Sequence, residues 1–213
     1  MKKSLIIFFV YIASGLFAGN TDSLLKKAVG HKLDSSFVFL LTELAGDYDE
    51  LGEYDKAISY CITAIRISDS LHFPRGKQGA LNALGNCYID QGDVKKALES
   101  HLAALKIREA MGSKLGVAYS YLNLGNIHFR LGDDDKALGE YKRSLDLMYE
   151  MGDTLRVAIC LTNMGSIYSN KGDINKAQEH YLKGLAIRKR YGDVDGIAEI
   201  YSNLSDFHGC AQI

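Results

Sequence analysis

The stretch QGDVKKA, residues Gln91–Ala97, decides the fold because the chain repeats it. Variants occur as LGEYDKA at Leu51–Ala57, LGDDDKA at Leu131–Ala137 and KGDINKA at Lys171–Ala177. The second residue of each copy is glycine, at positions 52, 92, 132 and 172, so the copies are spaced by 40 residues without an insertion. A fixed period of this length is typical of proteins built from stacked structural units.

Alignment of the copies predicts two helices in each unit. One stripe of small and apolar side chains recurs at offsets 0, 3, 4 and 7, as in Leu81, Leu84, Gly85 and Tyr88, and defines helix A. A second stripe recurs at offsets 0, 4, 7 and 8, beginning at Ala97, and defines helix B. Both spacings place the side chains on one face of an α-helix.

The quoted phrase is expected to join the two helices. Gly92 suits the left-handed residue that ends helix A, and Asp93 suits the N-cap of helix B. Glu53 takes the N-cap position in the first copy and is a poorer cap. Second turns of this kind, at Gly112-Ser113, Gly152-Asp153 and Gly192-Asp193, separate helix B from the next helix A.

Glycine recurs inside helix A at positions 85, 125 and 165. Because glycine in a helix costs about 1 kcal/mol relative to alanine, this column needs a compensating cause. We expect the glycines to let small residues of helix B, such as Ala97 and Ala104, approach to backbone contact.

The combined pattern resembles the tetratricopeptide repeat: L-G-x-x-Y in helix A, then G-D-x-x-K-A, then small and leucine-like residues, from residue 38 to about residue 208. The 40-residue length is similar to the longer repeats of kinesin light chain and of many bacterial signalling proteins. The resemblance implies an all-α fold, a right-handed superhelical solenoid of antiparallel helix pairs.

The register predicts repeats at 38–77, 78–117, 118–157 and 158–197, with a partial fifth at 198–213. Residues 19–37 are predicted to be an N-terminal capping region, in which 22–29 fall in the register of the end of a helix B. Because the fifth repeat stops after its helix A, we expect a truncated form of a longer protein. The alternative is a natural short end in which the last helix serves as the cap.

Residues 1–18 have the layout of a secretory signal peptide, with two lysines, an apolar run and then small residues. This layout predicts export, and the resemblance places the protein in the periplasm of a Gram-negative bacterium. An uncleaved membrane anchor is the alternative. The four cysteines are scattered, without metal-ligand spacing, and are expected to be core thiols. They lie at positions 61, 87, 160 and 210.

Composition and motifs exclude several classes of function. The formal net charge is −1, which argues against a nucleic-acid partner. No H-E-x-x-H, G-x-S-x-G or phosphate-loop pattern occurs, so we expect a protein that is not an enzyme and needs no cofactor or metal. The charged residues of helix B are expected to form a solvated outer face. They include Lys95, Lys96, Glu99, Lys106 and Arg108.

The resemblance implies that a protein or peptide segment binds along the concave face lined by helix A. Asparagines there can donate to and accept from a peptide backbone, and arginine can bind a carboxylate. An asparagine beside the packing stripe can instead bond a neighbouring backbone group. The candidate peptide-binding residues are Asn82, Asn86, Tyr119, Asn123, Asn126, Phe129, Arg130, Asn163 and Asn203.

The predicted function is therefore an exported, non-enzymatic scaffold for protein or peptide binding. The alternative is the N-terminal sensory region of a larger membrane signalling protein, such as a histidine kinase or a transcription regulator.

Overall fold

The computed structural model describes residues 34–209, with side chains to residue 205. Within that range every regular element is an α-helix, which confirms the all-α prediction. The helices are α1 (Ser35–Glu50), α2 (Tyr54–Ser70), α3 (Pro74–Gln91), α4 (Val94–Ala110), α5 (Lys114–Arg130), α6 (Asp134–Met151), α7 (Thr154–Asn170), α8 (Ile174–Tyr191) and α9 (Val194–Gly209).

The odd-numbered helices are the predicted A helices and the even-numbered helices are the B helices. Each helix A begins three or four residues before the predicted repeat boundary, as α1 does at Ser35. The signal peptide, most of the capping region and Cys210 lie outside the described residues. Among residues 34–209, no helix is both long and apolar enough to cross a membrane.

The chain forms two compact units that meet within α4, the first ending at Ala104 and the second beginning at Leu105. In the first unit, α1 packs on α2 and α3, and α2 packs on α3. In the second unit, each helix from α5 to α9 packs on the next one along the chain. Each unit is thus built from helices that contact their neighbours in sequence, as in a repeat protein.

The glycines of both kinds of turn take the left-handed conformation that the sequence predicts. Gly92 has φ 91°, and the other six turn glycines have φ between 65° and 76°. At the one turn without glycine, His72 takes this conformation, with φ 50°. A residue with a Cβ rarely adopts the left-handed conformation, which explains why glycine occupies this position in all the remaining turns.

The aspartates cap helix B as predicted. Asp133 accepts a hydrogen bond from the Lys136 backbone N–H at 3.3 Å, and Asp173 accepts one from that of Lys176 at 3.2 Å. Glu53 makes no side-chain capping bond, in agreement with its ranking as a poorer cap.

The lysine of the repeated phrase has a structural role of its own. Lys96 Nζ lies 2.6 Å from the carboxylate of the N-cap Asp93 and 5.3 Å from the ring centre of Tyr88. Lys176 makes the same two contacts, with Asp173 and with the Tyr168 ring. In these two repeats the phrase therefore joins three parts: the end of helix A, the cap, and the first turn of helix B.

The helix A glycines lie against aromatic rings of helix B, a contact that the sequence analysis did not predict. A Cβ on Gly125 would lie 2.5 Å from Tyr141 Cε1. The same atom on Gly85 would meet the His101 ring at 2.5 Å, and on Gly165 the Tyr181 ring at 2.8 Å. Only glycine leaves room for a ring at these positions.

The small column of helix B packs on helix A about two turns before these glycines. Ser144 Oγ donates to the Ala118 carbonyl oxygen at 2.8 Å. A Cβ on Gly184 would lie 3.4 Å from the Ala158 carbonyl oxygen, so this helix pair is equally close. Close approach therefore occurs, but it is set by positions 144 and 184 rather than by the helix A glycines.

The arginines at positions 108 and 188 correct the prediction of a uniformly solvated outer face on helix B. Arg108 donates to Ser120 Oγ at 2.8 Å and to the Gly116 carbonyl oxygen at 3.3 Å, and burial lowers the pKa of its guanidinium. Arg188 is buried and bridges Asp193 at 2.9 Å. These arginines join helix B to the first turns of the next helix A.

Candidate functional site

The predicted recognition residues of the second unit, apart from Asn203, lie on two A helices. We call this surface the A face: Tyr119, Asn123, Asn126, Phe129 and Arg130 on α5, with Ile159, Asn163, Ser166, Ser169 and Asn170 on α7. Their spacings of three, four, seven and eleven residues place each set along one side of its helix. The two helices are in contact, so the two rows are neighbours.

Two of the predicted asparagines are hydrogen-bonded to each other. Asn163 Nδ2 donates to Asn126 Oδ1 at 3.0 Å, across 37 residues of sequence. Asn126 Oδ1 also accepts from the Tyr141 hydroxyl of helix α6, at 2.7 Å. The Asn126 carbonyl oxygen is therefore bonded within the protein, but to two side chains and not to a backbone group as the alternative interpretation expected.

The hydroxyl of Tyr141 ties this amide pair to the core. The Tyr141 side chain is 1% exposed and sits on Gly125, directly beside Asn126. Burial raises the pKa of Tyr141, while its interaction with Asn163 opposes that rise. Asn126 is an exposed residue whose side-chain oxygen is occupied, so its amide nitrogen is the group that can donate to a ligand.

Tyr119 lies beneath a cation at one end of the A face. The Arg156 guanidinium carbon is 4.8 Å from the Tyr119 ring centre. Arg156 also pairs with the α7 N-cap, Asp153, at 2.6 Å, and this hydrogen bond raises the pKa of the guanidinium. The Tyr119 side chain is half-buried, and Arg156 covers one face of its ring.

The opposite end of the A face presents free polar groups. Phe129 is partly buried against the core of the second unit and offers only part of its ring. Arg130 and Asn170, at equivalent positions of α5 and α7, are both exposed. A guanidinium and an amide at adjacent helix ends can bind a carboxylate and a peptide group.

Asn123, which belongs to the A face on α5, is half-buried. The remaining candidates lie on other helices, and one of them, Asn203, is half-buried on α9 of the second unit. Asn82, half-buried, and Asn86, exposed, lie on α3 of the first unit. The structure therefore brings Asn126 and Asn163 together directly and supports Tyr119 with Arg156.

The corresponding surface of the first unit has acidic character. The carboxyl groups of Asp49 on α1 and Asp90 on α3 approach each other, and the pKa of Asp49 is raised by burial and then by Asp90. The A face of the second unit has no such pair of acidic groups, so the two surfaces differ in charge.

Sequence reasoning missed the side chains that support the A face from behind. From the sequence, neither Tyr141 nor Arg156 was given a role at the site. The sequence contained a signal for this support, because a polar residue in helix A and a tyrosine in helix B occur together in two repeats. Asn126 and Tyr141 are one such pair, and Ser166 and Tyr181 are the other. The Tyr181 hydroxyl donates to Ser166 Oγ at 3.0 Å.

Two family models match the chain. One tetratricopeptide repeat model matches residues 38–110 and 78–150, and a second matches residues 158–191. The chain belongs to the tetratricopeptide repeat family. Comparison with curated proteins finds no matching sequence.

Solved structures with the same fold come from several kinds of protein. Aspartyl phosphate phosphatase F from Bacillus subtilis is 16% identical with a TM-score of 0.78, over 85% of this chain and 47% of its own. A Rap protein complexed with competence and sporulation factor is 18% identical with a TM-score of 0.69, over 87% of this chain and 60% of its own. A putative kinesin light chain from Podosopora anserina is 14% identical with a TM-score of 0.65, over 85% of this chain and 99% of its own.

These likenesses concern the fold. The chain spans about half the length of the phosphatase and 60% of the Rap protein. The kinesin light chain match agrees with the resemblance seen in the sequence. Within the part of the chain that the structure describes, no group of three or more His, Cys, Asp or Glu side chains could hold a metal ion.

Proposed function

We propose that this protein is a non-enzymatic scaffold that binds an extended peptide segment of a partner protein along the A face of its second unit. The observation that carries the proposal is the hydrogen-bonded pair Asn126–Asn163, which fixes two amide groups between adjacent A helices. Membership of the tetratricopeptide repeat family supports it. So does the Rap protein, which shares the fold and was solved with a bound factor.

Preorganisation is the physical advantage of this arrangement. Tyr141 is buried and holds the Asn126 oxygen, so the amide is oriented before a ligand arrives. Binding then costs less side-chain entropy than it would with freely rotating asparagines. Exposed Arg130 supplies a charge for a carboxylate of the same peptide.

Selection from a displayed library of linear peptides tests the proposal. We expect a selected peptide to bind the wild-type chain, and Arg130→Ala or Asn170→Ala to weaken it by about fivefold, or about 1 kcal/mol each. These two residues are exposed and are better choices than Asn126, because Asn126→Ala would leave the buried Tyr141 hydroxyl without its acceptor.

The matched control is Lys142→Ala, an exposed position on the B helix α6 of the same unit. Its affinity for the peptide should equal that of the wild-type chain. An equal loss at all three positions, or a loss only at Lys142, contradicts binding on the A face.

We also propose that the protein is exported, on the basis of the charged and apolar pattern of residues 1–18. Expression in a Gram-negative host followed by fractionation tests this. The wild-type chain should appear in the periplasm, shortened at its N-terminus, and a chain lacking residues 2–18 should stay in the cytoplasm. Recovery of a full-length chain in the membrane fraction would favour the anchored, sensory alternative.

A further inference from the structure

The core of the first unit contains two thiols on facing helices. Cys61 lies on α2 and Cys87 lies on α3, and these two helices are in contact. Both side chains belong to one buried cluster with Leu44, Ala45 and Leu84, and they are 0% and 1% exposed. The position of Cys61 is filled by histidine or tyrosine in the later repeats, so neither the fold nor the repeat pattern requires cysteine there.

The two thiols lie against each other. Interaction with Cys87 is the largest cause that raises the pKa of the Cys61 thiol, ahead of burial. The Cys87 thiol in turn lies against the Asp49 carboxyl group, and its contact opposes the rise in the Asp49 pKa. Asp49 Oδ1 is buried and makes no hydrogen bond of good geometry, so it has a lone pair that can accept a hydrogen bond from the Cys87 thiol.

We propose that Cys61 and Cys87 are a disulfide site that links the first two repeats when the protein folds in an oxidising thiol–disulfide medium. The proposal is independent of the A face, which lies in the other unit. Cys160 has a different neighbour, since its thiol donates to Ser144 Oγ at 3.5 Å within the second unit.

The chemistry balances with a disulfide such as oxidised glutathione as the oxidant. The Cys87 thiolate attacks one glutathione sulfur and displaces a glutathione thiolate. Cys61 then attacks the Cys87 sulfur of the mixed disulfide and displaces the second glutathione thiolate. One cysteine disulfide forms, the glutathione disulfide is reduced by two electrons, and the two cysteine protons pass to the released thiolates.

Burial determines when this exchange takes place. Glutathione cannot reach a sulfur that is 1% exposed, so the mixed disulfide forms before α3 has packed or when it opens locally. The disulfide between Cys61 and Cys87 then forms as the helices pack, because packing brings the two sulfurs together. Oxidation of the folded protein should therefore become faster at urea concentrations below the unfolding transition.

An equilibrium measurement tests the proposal on the full chain carrying Cys160→Ala and Cys210→Ser, which leaves only the proposed pair. The chain is equilibrated with mixtures of reduced and oxidised glutathione, once folded and once in concentrated urea. Acid quenching and mass spectrometry give the ratio of disulfide to dithiol. We expect this ratio to be about tenfold or more higher for the folded chain, because the fold holds the thiols together.

An equal or lower ratio in the folded chain overturns the proposal, since the fold would then oppose the bond. Should the double variant lack the helix content of the wild-type chain, the wild-type chain refolded with oxidised glutathione gives the same answer by peptide mapping. A peptide joining Cys61 to Cys87 supports the proposal, and recovery of both cysteines as free thiols or in other pairs contradicts it.

Discussion

Substitution of Gly125 by alanine should destabilise the second unit even though alanine favours a helix. The added Cβ would lie 2.5 Å from Tyr141 Cε1 and 2.6 Å from Cδ1, closer than such atoms can approach. The ring cannot turn away freely, since it is 1% exposed and its hydroxyl bonds Asn126 at 2.7 Å. Either the ring or the helix must therefore move.

The magnitude follows from three contributions. Overpacking a core site costs about 1–3 kcal/mol. Displacement of the ring puts at risk the Tyr141–Asn126 hydrogen bond, which is worth about 1 kcal/mol. Replacement of glycine by alanine within the helix stabilises the folded state by about 1 kcal/mol. We expect a net loss of about 2 kcal/mol in the free energy of unfolding.

Urea denaturation followed by circular dichroism measures this loss, with Gly139→Ala as the matched control. Gly139 lies in α6 of the same unit, and a Cβ there would meet nothing within 4 Å. This control should gain up to about 1 kcal/mol from helix propensity alone. Equal stabilisation by both substitutions would refute the reasoning that the ring excludes a Cβ.

The first repeat supplies a natural compensating pair. It has Ala45 and Cys61 where the third repeat has Gly125 and Tyr141. Tyr141→Cys alone should be destabilising through the cavity it leaves, and less so in the presence of Gly125→Ala. A coupling energy of about 1–3 kcal/mol is expected from the double-mutant cycle, and additive effects would contradict the proposed contact.

Three further perturbations probe the electrostatics by urea unfolding. In the folded protein the pKa of Asp49 is raised by burial and by Asp90, so the charged carboxylate lowers the free energy of unfolding as pH rises above about 4. Asp49→Asn should therefore be more stable than the wild-type chain at pH 7, and the difference should shrink in acid. The pKa of Asp173 is lowered by its bond to Lys176, so the opposite holds: Asp173→Asn should be less stable at neutral pH, and the difference should fade as acid protonates the aspartate. Arg188→Ala leaves two carboxylates unpaired and should cost about 2 kcal/mol, below the value for fully buried pairs because both partners reach solvent.

The helices and turns were predictable because their signals are local. A glycine followed by a cap residue at a fixed period marks where helix A ends and helix B begins. The structure has both at Gly132-Asp133 and at Gly172-Asp173. Left-handed backbone and capping depend on a residue and its near neighbours in sequence, so one copy of the phrase contains the information.

The contacts between helices were harder to predict because they depend on two positions at once. Read alone, the column of Gly125 indicates only a close approach, and the column of Tyr141 only a core aromatic. When the two columns are compared, the repeats with glycine in helix A have a ring in helix B, and the repeat with alanine has Cys61. This covariation identifies the contact. The same limitation assigned Arg108 to solvent, since its partner Ser120 lies in the following helix A.

The candidate site was predictable in its position but not in its internal bonds. The period places Asn126 and Asn163 on adjacent A helices. The sequence does not show that one oxygen accepts from both Asn163 and Tyr141, because side-chain torsions decide that. These two bonds occupy the oxygen of Asn126 and leave its amide nitrogen to interact with a ligand.

Site-specific photo-crosslinking tests the binding claim most directly. A photoreactive phenylalanine is placed at position 130 or 170 on the A face, or at position 142 or 182 on the exposed surface of α6 and α8. Each chain is irradiated with a peptide selected on the wild-type chain. The account predicts covalent capture from positions 130 and 170 and background levels from 142 and 182. Capture chiefly from 142 and 182 would contradict it.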